Sequence, residues 1–183
     1  MSSSSTKIAF ERMAASLGGT LSSADEVEPS VCFRWSGFEL RLSIVHDLGA
    51  PPRTGLVMAL PSDPPLEIDL YPQRTMFNVV RRVIPLQDIV VGDEAFDRSF
   101  VVKGSDSQRV IELFSPPERA ALLALTQLGE GGFATVYTTF HAVVVAVAGH
   151  VDDVQKLQAL AAHARTILEG YVRVTRLAPS PGA

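Results

Sequence analysis

Two short alternating runs set the tightest limit on the fold. Residues 31–35 (Val-Cys-Phe-Arg-Trp) and 38–44 (Phe-Glu-Leu-Arg-Leu-Ser-Ile) each place apolar and other side chains by turns, the period of a strand with one buried face. Ser36 and Gly37 between them have the number and chemistry of a two-residue hairpin turn. In the second run Phe38, Leu40, Leu42 and Ile44 share one face, while Glu39, Arg41 and Ser43 share the other. Such a sheet needs a cover of helices, or of a second sheet, on one side. Arg34, Glu39 and Arg41 then fall on the wet side as cross-strand charge pairs, each worth a few tenths of a kcal/mol.

The rest of the chain supplies that cover and more strands. Thr6 can cap a first helix carrying Ile8, Phe10, Met13, Ala14 and Leu17, with Gly18 and Gly19 as its stop. Residues 54–60 and 66–70 read as strands parted by a proline-rich turn, whereas 73–83 suit helix or strand until Pro85 ends either. Phe100, Val101 and Val102 make a brief strand, and Ser105 or Asp106 can cap the short helix after it. Ser115-Pro116-Pro117-Glu118 has the form of a capping box before a leucine-rich helix. The longest apolar run, 142–149, falls well short of the roughly 20 residues a spanning helix needs. It reads as a strand buried on both faces. Asp152 then caps a last helix with an apolar stripe of Val154, Leu157, Leu160, Ala161, Ala164, Ile167 and Leu168, and Gly170 is a candidate end.

These elements predict an α+β fold, a mostly antiparallel sheet of about six to eight short strands with helices packed on one face. Residues 6–177 are expected to form one domain between disordered tails at 1–5 and 178–183. Helix, glycine pair, strand, short turn, strand occurs twice in the same order, at 13–45 and 122–148, which suggests an internal duplication.

Composition narrows function mostly by exclusion. A formal net charge of −4 over 183 residues argues against a general nucleic-acid binder, which needs a basic face to displace counterions. Cys32 is the only cysteine and sits in an apolar run, so it reads as a small buried hydrophobe. No secretory leader is visible at the start, so the cytoplasm is the expected compartment and no integral membrane segment is expected.

Motifs for chemistry are missing. There is no Gly-x-Ser-x-Gly elbow, and Gly129-Glu130-Gly131-Gly132 has the wrong order for a phosphate loop and precedes a strand. The four histidines, at 46, 141, 150 and 163, lack metal-ligand spacing, although His150 stands near Asp152 and Asp153. Glu67 and Asp69 alternate onto one strand face, but it is the face opposite Leu66, Ile68 and Leu70 and reads as solvated. No catalytic residue, metal or cofactor is predicted.

The densest run of local signals lies at 90–125. Gly92-Asp93-x-x-Phe96-Asp97-x-x-Phe100-x-Val102, followed by Leu113-Phe114-Ser115-Pro116-Pro117-Glu118-Arg119, resembles a group of uncharacterised bacterial domains, some carried next to membrane-anchoring segments. The likeness covers residues 89–172. It implies a bacterial source and an α+β fold, and carries no catalytic residue with it.

The expected function is therefore a non-enzymatic bacterial cytoplasmic interaction or adaptor module, engaging a protein partner or a second copy. Trp35 and Arg34 are interface candidates at a hairpin end, because tryptophan and arginine dominate interface hot spots. A small-ligand protein or enzyme is the alternative, with Asp97, Arg98 and His141 converging in a pocket between sheet and helices. Peripheral membrane association is the third, and requires an apolar patch beside Arg81 and Arg82.

Overall fold

The computed structural model describes residues 3–22, 28–46, 51–73 and 87–178. The sequence 73–83 that suited helix or strand lies outside them beyond Gln73, as do Arg81 and Arg82. Among the described residues nine strands form one antiparallel sheet: β1 (Thr20–Ser22), β2 (Ser30–Trp35), β3 (Phe38–Val45), β4 (Arg53–Ala59), β5 (Ile68–Pro72), β6 (Gln87–Asp88), β7 (Phe100–Gly104), β8 (Ala134–Thr138) and β9 (Ala142–Ala148). Their order across the sheet is β1-β2-β3-β4-β9-β8-β5-β7-β6. The α+β class stands as read. The strand number exceeds the expected range because β1 and β6, of three and two residues, are edge pairings too short to show a period.

The β2–β3 hairpin follows its sequence closely. Ser36 and Gly37 have φ of 50° and 83°, the two left-handed positions of a type I′ turn, whose twist matches that of the flanking strands. Register then places Arg34 opposite Glu39 and Phe33 opposite Leu40. Phe38, Leu40, Leu42 and Ile44 are buried, with Glu39 and Arg41 exposed. Ser43 departs from the pattern: it is buried on the polar side.

Five helices are described: α1 (Ser3–Leu17), α2 (Glu94–Ser99), α3 (Ser107–Leu113), α4 (Pro116–Leu125) and α5 (Val154–Thr175). The first begins at Ser3 rather than after Thr6, so the serine tract is already helical where it is described. In α5, Leu157, Leu160, Ala161, Ala164, Ile167, Leu168 and Tyr171 are buried along one stripe. This helix packs on α4 and α3, on α1, and on β4 and β9. Gly170 does not end it, and Val172 and Val174 continue it. Its cap is Asp153, which accepts from the Lys156 amide at 2.8 Å, while Asp152 accepts from the Ser5 hydroxyl instead.

The main core lies between these helices and the face of the sheet carrying Leu40, Leu42, Leu56, Met58, Val143, Val145, Val136 and Leu70. On the reverse face, where none of the described helices packs, Tyr137, Val144 and Ala146 form a second buried cluster flanked by Val45 and Val57. Strand β9 thus contributes to both, as an uninterrupted valine-rich run predicts. Both repeats of the helix, glycines, hairpin order join one sheet, one hairpin near its edge and the other at its centre. Among the described residues, no helix is long and apolar enough to cross a membrane.

Candidate functional site

Strand register divides the predicted site residues between opposite ends of the sheet. At one end lie the Ser36-Gly37 turn, the end of β4 and the β8–β9 turn, where the Leu60 amide donates to the His141 carbonyl at 2.8 Å. Arg34, Trp35 and His141 belong here. Asp97 and Arg98 precede Phe100, which pairs with Pro72 at the other end of β5 and β7. His141 lies toward the Ile68–Gly104 end of those strands, since Ile68 donates its amide to Thr138. Four residues of strand separate the two ends, roughly 13 Å at 3.3 Å per residue. Asp97, Arg98 and His141 therefore do not converge, and the pocket expected from them does not form.

Asp97 has another occupation. Its carboxylate accepts from the backbone amides of Val91, Gly92 and Asp93 at 2.9, 3.0 and 3.1 Å. Asp93 caps α2 through the amides of Ala95 and Phe96, and its second oxygen lies 3.2 Å from Nε of Arg119 in α4. Arg119 also donates to the Phe114 carbonyl. The ring of Phe96 packs between Phe100 and Phe114, with centroids 5.1 and 5.7 Å away. The aspartates, phenylalanines and arginine of the 90–125 pattern thus tie α2 to β7 and α4. Arg98, by contrast, makes an exposed i,i+4 pair with Glu94. Neither aspartate is left over for a ligand.

The capping box is also reassigned. Ser115 occupies the N-cap of α4 without capping through its side chain, and its hydroxyl donates to the Glu118 carboxylate instead. Glu118 is buried and meets Arg173 of α5 at 3.0 Å.

At the Trp35 end the exposed side chains include Phe140, His141 and Arg34, with Glu39 opposite Arg34. Phe140 is 53% exposed, beside exposed His141. Trp35 is half-buried against the main core, on the helix side of the sheet opposite Phe38. Arg34 points to the reverse face, so the two hairpin candidates share an end without sharing a face. Phe140 sits in a turn, where sequence alone favours anchoring the ring in the core; the short connection between β8 and β9 leaves it at the tip.

On the reverse face Lys103 stands opposite Asp69 and Asp88. The Tyr71 hydroxyl beside it, against some desolvation and with help from Asp88, holds its ammonium above the ordinary lysine range. Farther along that face, where β2 begins and β3 ends, a depression of about 320 Å³ is lined by Glu28, Ser30, Arg41, Ser43 and His46. Ser30 and Ser43 are cross-strand partners on its floor. His46 Nε2 and a Glu28 carboxylate oxygen are 2.7 Å apart on its rim. Sequence reading passed over this group, although alternation already puts Arg41 and Ser43 on one face. Among the described residues, no cluster of His, Cys, Asp and Glu is placed to hold a metal ion. Cys32, expected to be buried, is half-buried on the reverse face.

The chain matches no family model and no curated protein sequence. Its fold is similar to that in the crystal structure of the mycobacterial trehalose monomycolate transport factor A, TtfA. The TM-score is 0.62 at 12% identity, over 97% of this chain and 98% of that one.

Proposed function

We propose that this chain is a non-enzymatic bacterial interaction module that works in the cytoplasm and docks a protein partner through the Trp35 end of its sheet. One observation carries the reading: a large aromatic side chain, Phe140, stands half-exposed at a tight turn, held by two central strands, with His141 beside it. Aromatic groups on rigid supports bind at low entropic cost and anchor interfaces, and Trp35 and Arg34 add the residue types enriched there. The resemblance of the 90–125 pattern to bacterial domains supports the source. The protein sharing the fold is named as a transport factor rather than for a reaction, which favours a binding role for this chain as well.

The test combines light scattering after size exclusion with affinity capture from the native host. A specific partner or dimer should be lost on Phe140→Asp and kept on Arg98→Ala, at the far end of the sheet. A strict monomer that retains no protein, or capture that survives Phe140→Asp, refutes the proposal.

A further inference from the structure

We propose that the outer edge of β6 takes up an extended peptide segment of a partner protein as a further strand, paired to the backbone of Asp88 and Val90. Strand β6 ends the sheet, with β7 as its neighbour on one side. Gln87 stands opposite Gly104 and Asp88 opposite Lys103, and beyond them the Ile89 amide donates to the Val102 carbonyl at 2.8 Å. Successive peptide groups of an extended chain point to alternate sides, so with Ile89 bonded inward the amides and carbonyls of Asp88 and Val90 face out from the sheet. Among the described residues nothing bonds to the backbone of Val90. Donors and acceptors repeating at two residues along an edge are matched by another extended chain.

Two features set this edge apart from one left to water. Edges are ordinarily blunted by lysine, proline or a bulge, yet Val90 is 74% exposed, more than any other large apolar side chain among the described residues. The edge is also held rigid. Ile89 and Val91 on either side are buried in the main core, and the Val91 amide donates to Asp97 at 2.9 Å. The turn built by the 90–125 pattern thus fixes Val90 in place, and a preorganised edge pairs at low entropic cost. A second copy fits poorly. Antiparallel pairing of Asp88 and Val90 with their own counterparts sets each valine opposite a carboxylate, and centring the pair on Val90 sets Asp88 against Gly92, where the chain turns at φ 90°. The Asp88 side chain is exposed beside Lys103, 3.4 Å away. The matching peptide therefore carries a β-branched residue opposite Val90 and a basic one opposite Asp88. This edge is three strands from β8, and pairing there does not depend on the aromatic turn.

An array of short synthetic peptides that alternate threonine with valine, lysine or glutamate, read by amide hydrogen exchange of the protein, tests the assignment. Without peptide the Asp88 and Val90 amides should exchange freely and that of Ile89 slowly. A bound peptide should slow exchange at Asp88 and Val90 by about tenfold or more, and peptides carrying both valine and lysine should bind about tenfold more tightly than those carrying glutamate. Val90→Pro deletes an amide that bonds nothing within the described chain and should weaken binding about tenfold, whereas Val90→Thr, which keeps the amide, should weaken it less. Arg12→Ala on the outer side of α1 is the control and should change nothing. Circular dichroism establishes that each variant is folded. No saturable binding by any peptide at millimolar concentration, protection at the β8–β9 turn without protection at Asp88 and Val90, or equal binding by Val90→Pro and wild type overturns the proposal. Protection of Asp88 and Val90 that grows with protein concentration in the absence of peptide assigns the edge to a second copy and overturns it as well.

Discussion

Asp97 serves three backbone amides at once, and that makes it the most consequential polar side chain of the 90–125 pattern. A carboxylate bonded in this way is worth more than a neutral acceptor, and removing it strands donors that the turn has partly taken out of water. Asp97→Ala should therefore cost about 2–3 kcal/mol in urea denaturation, and Asp97→Asn, which keeps a single acceptor oxygen, about half of that. Arg98→Ala should fall within about 0.5 kcal/mol of wild type, since its ion pair with Glu94 is exposed. Equal effects at the two positions would contradict the roles given to them. Ser36 offers the opposite case: a non-glycine residue at φ 50° in a type I′ turn. Ser36→Asn or Ser36→Gly should stabilise by a few tenths to about 1 kcal/mol, read as an upward shift in the denaturation midpoint.

Helix α4 meets α5 at a point where no room remains. A Cβ on Gly170 would lie 2.7 Å from a Glu118 carboxylate oxygen and 3.0 Å from a Leu113 methyl. Glu118 cannot swing away cheaply, because Ser115 and Arg173 hold it. Gly170→Ala gains about 1 kcal/mol of helix propensity but meets overpacking of typically about 1–3 kcal/mol, so a net loss of stability is expected. Glu118→Ala removes the obstacle and leaves Arg173, which is half-exposed, to water. In that background Gly170→Ala should be neutral or stabilising. A double-mutant cycle showing no coupling between the two positions would falsify this account of the junction. The same junction marks the limit of local reading. Proline at the first helical turn and the serine N-cap position were legible, because they act within one turn of helix. The partner of Glu118 lies 55 residues away, and Gly170 resembles a helix stop to any reading that does not know what packs against it.

Across the whole molecule, what could be read from sequence is what neighbouring residues decide among themselves. The hairpin, the alternation of β3, the double burial of β9 and the stripe of α5 all follow from periods that burial enforces locally. Sheet order does not: β4 pairs with β9 and β5 with β8 and β7, pairings over long separations that no motif announces. The candidate site failed for that reason. Asp97, Arg98 and His141 are plausible partners in a list but belong to opposite ends of the sheet, whereas Ser30, Arg41 and Ser43 become a group only once β2 and β3 are in register. One further long-range tie can be weighed by pH. Fully buried Tyr171 in α5 donates to the carbonyl of Leu66 ahead of β5 at 2.9 Å. Burial pushes its phenol well above the ordinary tyrosine range, reinforced by the charge of Glu67. A raised folded-state value favours the protonated form, so its contribution is complete below the unfolded value of about 10 and is lost as pH rises beyond it. Lys103, also raised, adds a loss of the same sign. Tyr171→Phe should cost about 1 kcal/mol at neutral pH, where the Leu66 carbonyl loses its partner. It should also flatten the fall in stability above pH 10 without abolishing it, Lys103 remaining. Urea denaturation of both proteins from neutral to alkaline pH, with tyrosinate absorbance followed in parallel, measures the difference. Identical slopes, or ionisation of Tyr171 in the folded protein near pH 10, would remove Tyr171 as a tie between the last helix and the sheet.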